Sequence, residues 1–228
     1  MNIVTISTGS WVNNHLKRWV RLVKQSNPGA WLGLIYIDDG TPCDAEVVNQ
    51  FDRVAMYGAE SKHRDFYNVV RMGATTIFGK AEIIYCDCDA DVVGDIGRLA
   101  DYRSGELAFC KSPAESQEWL DYAKLKGHEP WMANNGLLVL GMDFTEEYQV
   151  ALQKVVDDGL SERMRGTYAF NMMVRSNLRQ DLYDVIPPEY GVIWWDVEKF
   201  ATARIIQFCS DHGQAKRLML EKEWEDAQ

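Results

Sequence analysis

The sequence of 228 residues predicts an α/β fold in which a parallel sheet is flanked by helices. Strand-like and helix-like segments alternate along the first half of the chain, as they do in strand–helix–strand units. The apolar run Ile83-Ile84-Tyr85 has the β-branched and aromatic residues that fill a buried strand. With 46% hydrophobic and 11% aromatic residues, the chain is predicted to be ordered and long enough to bury a substantial core.

Strands and helices alternate regularly in the first half. Strands are predicted over residues 2–7, 31–37, 53–57 and 83–85. Two helices are indicated by apolar residues at a spacing of about 3.6. The first covers residues 13–24 and is ended by Asn27-Pro28-Gly29, and the second covers residues 64–78.

The second half is more mixed. Strands are predicted over residues 106–110, 137–140 and 205–209, and an extended segment over 185–190. Helices are predicted over residues 117–126, 144–157 and 168–177, followed by a charged, peripheral helix from about residue 215. Asn134-Asn135-Gly136 comes directly before the strand at 137–140.

An acidic cluster follows the buried run at 83–85, and it contains Asp87, Asp89, Asp91 and Asp95. Carboxylates at the end of a hydrophobic strand are costly unless something positive lies among them. Along a continuing strand, Asp87 and Asp89 would project to one face about 6–7 Å apart. Such a pair can converge on one divalent cation whose shell substrate phosphates complete. The alternative interpretation is a solvated turn.

Open sheets of this kind bind ligands outside the carboxyl ends of their strands. The acidic cluster lies at such an end, and so does the turn Thr8-Gly9-Ser10-Trp11 after the first strand. Both features therefore predict a ligand site at one edge of the sheet.

Charge and cysteine content narrow the class of protein. The net charge of −10 argues against an electrostatic hold on nucleic acid or on an anionic membrane. The five cysteines are expected to be reduced, which fits a cytoplasmic protein. The segment MNIVTISTGSW lacks a basic leader, and no stretch reaches the ~18 apolar residues of a transmembrane helix. We therefore expect no signal peptide and no stable membrane anchor.

Four segments, taken in order, resemble the GT-A fold of nucleotide-sugar glycosyltransferases, most closely glycosyltransferase family 8. They are similar to the first nucleotide-binding loop (IVTISTGSW), the metal-binding segment (YCDCDADVVGDI), the strand lining the donor sugar (ANNGLLVLG), and the proline segment with the closing motif (VIPPEYGV and IIQFCSDHGQAK). The resemblance covers nearly the whole chain. It implies a Rossmann-like, mixed, mostly parallel sheet in a single domain, with a nucleotide-binding half over 1–100 and an acceptor and donor-sugar half over 101–228.

The resemblance also implies an activity and its residues. The activity is metal-dependent transfer of a sugar from a UDP-sugar to the hydroxyl of a glycan or other acceptor, with retention at the anomeric carbon. Asp87 and Asp89 would bind Mn²⁺ or Mg²⁺. Contacts with the nucleotide and donor would come from Thr8, Trp11, Arg71, Asp87, Asn134 and Lys216. Arg64 is an alternative to Arg71 in this role.

Some positions depart from the family pattern. Gln207 stands where the family has a histidine as its third metal ligand, and His212 is an alternative ligand. The Asp-Gln pair that the family places beside the reacting sugar is not evident. Asn171 is the nearest amide and is the candidate catalytic residue in its place. If Asp91 or another carboxylate acted as a general base on the acceptor, inversion would result instead.

Other interpretations stay open on the sequence. Tyr190, Trp194 and Trp195 are either a platform for an acceptor sugar or core residues. The departures from the family pattern also fit a catalytically inactive domain that binds a nucleotide or a sugar. A nucleotidyltransferase is a further alternative, although it would require a glycine-rich, lysine-bearing phosphate loop that the turn at 8–11 does not provide.

Overall fold

The computed structural model describes the chain except for residues 12–14, 59–63, 103–105, 114–116, 130, 162–164, 177–182 and 228. The main sheet contains β1 (Asn2–Thr8), β2 (Trp31–Ile37), β3 (Arg53–Tyr57), β4 (Ile83–Cys86), β6 (Leu107–Pro113), β7 (Trp131–Leu140) and β8 (Tyr183–Ile186). A smaller sheet contains β5 (Ala90–Val92), β9 (Val192–Ile193) and β10 (Ile205–Gln207).

The helices cover the two faces of the main sheet. They are α1 (Gly9–Trp11), α2 (Lys17–Ser26), α3 (Ala45–Val48), α4 (Arg64–Met72), α5 (Ala74–Phe78), α6 (Gln117–Leu125), α7 (Thr145–Asp157), α8 (Arg165–Ser176) and α9 (Ser210–Asp226). No helix among the described residues is long and apolar enough to cross a membrane.

The strand order of the main sheet is β3-β2-β1-β4-β7-β6-β8. Neighbouring strands are parallel from β3 to β4 and again between β6 and β8, whereas β7 is antiparallel to both of its neighbours. The expected mixed, mostly parallel sheet flanked by helices is confirmed. One reversed strand accounts for the mixture.

Two apolar clusters lie on opposite faces of this sheet. Successive residues of a strand enter different clusters, so that Val4 and Tyr85 pack in one while Ile3 and Ile84 pack in the other. Helices α4 to α8 contribute to the first cluster, and α2 and α3 contribute to the second. Burial on both faces explains why the central strands are continuously apolar.

Several elements differ from the expectation. The helix predicted at 64–78 is two helices separated at Gly73, where a Cβ would lie 2.8 Å from Thr145 Oγ1. The helix predicted to start at residue 13, which lies outside the described residues, is described as α2 from Lys17. Strand β7 includes residues 134–136, which the sequence places directly before the strand. The strand β5 was not predicted.

The C-terminal helix differs most from the expectation. It begins at Ser210 rather than near residue 215, and it is not peripheral. Arg217 on this helix is fully buried and donates to Asp91 and to the carbonyl of Ala90. Helix α9 therefore fastens β5, the strand that directly follows the acidic turn.

Candidate functional site

The acidic segment forms a turn at the carboxyl end of β4. The strand ends at Cys86, and the amide of Ala90, the first residue of β5, donates to the carbonyl of Asp87 at 3.1 Å. The expected strand geometry at Asp87 and Asp89 is therefore wrong, because the chain turns between them. The position is as expected, since a carboxyl strand end is where open α/β sheets bind ligands.

Asp87 is held from three sides. Its carboxylate accepts a hydrogen bond from the Tyr85 hydroxyl at 2.6 Å, and Arg71 Nη1 lies 3.7 Å from the same oxygen. Its amide donates to the carbonyl of Gly136 on β7 at 2.8 Å. Arg71 is buried and also donates to the carbonyl of Asn135. The structure thus places Arg71 beside the acidic turn; the side chain of Arg64, its alternative, lies outside the described part.

Asp89 lies in the turn, half-buried, with Asp87 nearby. Burial, and after it the charge of Asp87, raises the pKa of Asp89 well above its ordinary range, although Arg217 opposes the shift. The Gln214 side chain of α9 hydrogen-bonds the Asp89 carboxylate. The charge of Asp87 thus disfavours ionisation of Asp89, and a cation bound beside Asp89 would relieve this.

The small sheet brings Gln207 to this turn. Strand β10 is antiparallel to β5 with Gln207 opposite Ala90, directly after Asp89. Gln207 Oε1 accepts a hydrogen bond from Asn134 Nδ2 at 2.5 Å, and Asn134 Oδ1 accepts one from the amide of Gly136 at 2.8 Å. Strands β7 and β10 therefore present two amide side chains beside the carboxylates.

Gly136 leaves a space among these polar groups. A Cβ at this position would lie 2.8 Å from Asp87 Oδ2, 3.3 Å from Asn134 Oδ1 and 3.4 Å from Gln207 Oε1. Three oxygen atoms thus surround one small volume. Hard divalent cations prefer such oxygen donors.

The described residues contain no group of three or more His, Cys, Asp or Glu side chains that could hold a metal ion. The donors present are two carboxylates and an amide oxygen. This set fits a cation such as Mg²⁺ or Mn²⁺, which commonly takes one or two carboxylates from the protein and further oxygens from substrate phosphates. The space at Gly136 supports the same fit.

Asp91 is in a different environment from its two neighbours. It is buried in an ion-pair cluster, with Arg18 Nη2 at 2.7 Å and Arg217 Nε at 2.8 Å. Glu221 joins this cluster through Arg18 and Arg21. Both oxygens of the Asp91 carboxylate accept from guanidinium groups, so we assign Asp91 a structural role instead of the predicted catalytic one.

The same cluster fixes a neutral histidine. Burial, and then the charge of Arg217, lowers the pKa of His15 to about 4. Its Nδ1 lies 3.0 Å from Arg217 Nη1, which as a permanent donor makes Nδ1 the acceptor. His15 therefore connects helix α9 to the segment that leads into α2.

Asn171 is fully buried on α8 and bonded to backbone. Its Oδ1 accepts from the amide of Ala133, and its Nδ2 donates to the carbonyls of Ala133 and Thr167. The amide predicted as a catalytic residue thus holds β7 in place one residue before Asn134. Asn171 is a positioning residue in this structure.

The turn after β1 forms a second polar group at the same edge. Thr8 Oγ1 lies 3.1 Å from Ser10 Oγ, and Ser10 Oγ donates to Asp39 at 3.1 Å. Burial disfavours ionisation of Asp39, but hydrogen bonds from Thr41 and Ser10 outweigh it and lower its pKa to about 2. Trp11 is half-buried, with its ring 4.5 Å from that of His15.

The two other residues expected from the closing motif lie away from these contacts. Helix α9 turns Gly213, Gln214 and Arg217 inward, whereas His212 and Lys216 are exposed. A helix advances about 100° per residue, so His212 lies on the face opposite to Gln214 and Arg217. The structure does not bring His212 or Lys216 into the site.

The aromatic residues 190, 194 and 195 do not form one surface. Tyr190 is buried, with its ring 5.9 Å from that of Tyr102. Trp194 and Trp195 meet edge to face at 5.6 Å, and Trp195 is 41% exposed. Of the three, Trp195 is the most exposed to solvent.

Three residues of the site were missed on the sequence. Gln214 and Arg217 are four and seven residues after the start of α9, a spacing that marks one helix face. The sequence indicates this shared face only if the helix begins at Ser210 instead of near residue 215. Asp39 follows β2 at the same sheet edge as Thr8, which makes it a candidate by topology.

The chain matches no protein-family model and no curated protein in sequence. It is similar in structure to the galactosyltransferase LgtC in complex with donor and acceptor sugar analogs, with a TM-score of 0.66 and 11% identity over 98% of this chain and 96% of that one. An active-site mutant of LgtC gives the same values.

The bifunctional glycosyltransferase WbbM in its apo form is also similar, with a TM-score of 0.60 and 11% identity over 100% of this chain and 51% of that one. At this level of identity the likeness concerns the fold. The sheet and flanking helices described above therefore have the architecture of GT-A glycosyltransferases.

Proposed function

We propose that this chain is a metal-dependent glycosyltransferase that moves a sugar from a UDP-sugar donor to an acceptor hydroxyl. The observation that carries the proposal is the pair Asp87 and Asp89 at the carboxyl end of β4, in a GT-A fold, beside the strands that carry Asn134 and Gln207. The similar galactosyltransferase LgtC was solved with donor and acceptor sugar analogs. Its name and ligands support a sugar-transfer chemistry for this chain.

Asp87 and Asp89 would hold the divalent cation, Mn²⁺ or Mg²⁺. A bound cation supplies Lewis-acid stabilisation of the negative charge that develops on the leaving diphosphate. Tyr85 and Arg71 hold one oxygen of the Asp87 carboxylate in place. The carboxylate would therefore need little reorganisation when the cation and the donor bind.

The other residues of the site would bind and orient the donor. Thr8 and Trp11, in the turn after β1, lie where a nucleoside would meet the sheet edge. Asn134 would face the donor sugar, and Asn171 fixes the strand that carries it. We further propose retention at the anomeric carbon, on the resemblance to family 8.

A second candidate function is a GT-A domain that binds a nucleotide sugar without transferring the sugar. It is favoured by Asn171, whose amide is used entirely by backbone groups. It is also favoured by Gln207, an amide at the position of the family's histidine ligand. Turnover of the donor distinguishes the two candidates.

Hydrolysis of a panel of UDP-sugars in the absence of acceptor tests the proposal. We expect release of UDP from at least one donor in the presence of Mn²⁺ or Mg²⁺, and loss of that release with EDTA and in Asp89→Asn. Asp101→Asn removes an exposed carboxylate outside the site and serves as the matched control. Binding of a UDP-sugar without release of UDP would favour the second candidate. The absence of both binding and release would contradict both candidates.

A further inference from the structure

Gln207 carries a buried hydrogen-bond donor that has no partner within the described residues. The side chain is 6% exposed, and its Nε2 is enclosed with no hydrogen-bond partner, while its Oε1 accepts from Asn134. Buried polar groups in native proteins are nearly always paired, so an orphaned donor beside a ligand site indicates an acceptor on the ligand.

The orientation of the Gln207 amide is set by its neighbours. The amide of Gly136 donates to Asn134 Oδ1 at 2.8 Å, which leaves Asn134 Nδ2 as the atom that faces Gln207. Because Nδ2 can only donate, the atom of Gln207 that meets it is the oxygen. Nε2 is therefore the free end of Gln207, and rotating the amide by 180° would oppose two donors.

The place of Gln207 in the fold indicates what the acceptor is. Strand β10 pairs with β5 so that Gln207 lies opposite Ala90, next to Asp89. A cation bound by Asp87 and Asp89 would also coordinate phosphate oxygens of a ligand. Those oxygens would then lie beside the two carboxylates. We therefore expect a phosphate oxygen to be the hydrogen-bond acceptor for Gln207 Nε2.

We propose that Gln207 Nε2 donates a hydrogen bond to a phosphate oxygen of a bound nucleoside diphosphate, a role that rests on the proposed function above. In this arrangement the amide recognises the diphosphate, whereas the expected role was that of a third metal ligand. The protein then offers the cation two carboxylates as its charged ligands. Binding of the cation consequently depends on the diphosphate that completes its shell.

The variant Gln207→Glu separates the two roles, because it keeps the shape and replaces the N–H donor by a charged oxygen. A donor to phosphate predicts that UDP affinity in saturating Mn²⁺ falls about tenfold or more, since a carboxylate then faces the phosphate oxygen. A metal ligand predicts that affinity for Mn²⁺ and for UDP both rise. Isothermal titration calorimetry with Mn²⁺ alone and with UDP plus Mn²⁺ measures both.

Gln207→His provides a second variant whose expected effect is a gain. An imidazole at this position adds a metal ligand, so Mn²⁺ affinity without UDP should rise about tenfold above that of the wild type. Gln50→Glu, on the exposed surface after α3, is the matched control for the change of charge. Circular dichroism confirms that each variant is folded.

The outcomes are distinct. A fall of UDP affinity in Gln207→Glu, with Mn²⁺ affinity unchanged or higher, supports the proposal. UDP affinity that is unchanged or higher overturns it, and so does a Gln207→His variant that binds Mn²⁺ no better than the wild type does. If wild-type protein itself binds no UDP, the proposed function fails independently of Gln207. UDP lacks the transferred sugar of a UDP-sugar donor, so a hydroxyl of that sugar cannot account for a loss of UDP affinity.

Discussion

At the scale of single residues, the site depends on a glycine, whose lack of a side chain leaves space for a ligand. Gly136 lies between the acidic turn and the two amides, and its missing Cβ leaves the space onto which Asp87, Asn134 and Gln207 direct oxygen atoms. Its carbonyl also accepts from the amide of Asp87. Glycine is required here for close approach rather than for a left-handed backbone, since Gly136 is not among the glycines with positive φ.

We predict that Gly136→Ala abolishes binding of UDP with Mn²⁺ while the protein stays folded. The added methyl group would lie 2.8 Å from Asp87 Oδ2, so that carboxylate must move out of its position. Calorimetric titration measures the loss, and the thermal midpoint without ligand serves as the internal control. Unchanged affinity would show that the ligand does not occupy this space.

Individual residues were predicted with uneven success, for physical reasons. Asp87, Asp89, Asn134, Gln207 and Arg71 were all named as candidates, and the structure brings them together. Asp87 and Asp89 were indicated by their position after a buried strand, whereas Asn134, Gln207 and Arg71 were implied by the resemblance to family 8. Which amide and carboxylate groups are open to a ligand depends on side-chain partners, and sequence spacing does not specify those.

At the scale of elements, helix α9 and strand β5 are joined through buried charges. Arg217 donates to Asp91 and Ala90, and Arg18 from α2 donates to the same carboxylate. Gln214, on the same face of α9, reaches Asp89. The helix thus holds the acidic turn in place, which the prediction of a peripheral helix from residue 215 did not anticipate.

We predict that Asp91→Asn destabilises the protein by about 3–5 kcal/mol, because the fully buried Arg217 then lacks its charge partner and Arg18 keeps only Glu221. Urea denaturation at neutral pH measures the change. In a double-mutant cycle, Arg217→Met should cost much less in the Asp91→Asn background than in the wild type. Asp101→Asn, an exposed carboxylate, is expected to have little effect.

A different result would restore the catalytic interpretation of Asp91. If Asp91→Asn keeps the stability of the wild type and loses only donor turnover, the carboxylate acts on the reaction rather than on the fold. We expect instead that Asp91→Asn lowers stability and that any loss of turnover follows from this lower stability.

At the scale of the whole molecule, the sequence predicted the positions of buried strands better than it predicted how the strands pair. Strands β2 and β3 were placed at their observed bounds, because their apolar runs are bounded by polar turns. The reversal of β7 was not readable from the residues alone, since an apolar strand has the same composition in either direction. The resemblance to the GT-A fold implied a mixed sheet but not which strand is reversed, and the structural likeness at 11% identity agrees with that fold.

The small sheet shows the same limit at long range. Strand β10 joins β5 across more than a hundred residues of chain, and this pairing is what places Gln207 beside Asp89. Strands of three residues carry too little periodicity to be recognised alone. A prediction of which ligand residues meet therefore needed the topology of the whole chain.

The measurement that tests the central claim most directly is the thermal midpoint with UDP, with and without Mn²⁺, for wild type and Asp89→Ala. Ligand at 100 times its dissociation constant should stabilise the wild type by about 2.7 kcal/mol, a shift of roughly 5–10 °C for a chain of this size. We predict a shift that requires both Mn²⁺ and Asp89. Equal midpoints with and without UDP and Mn²⁺ would contradict the account.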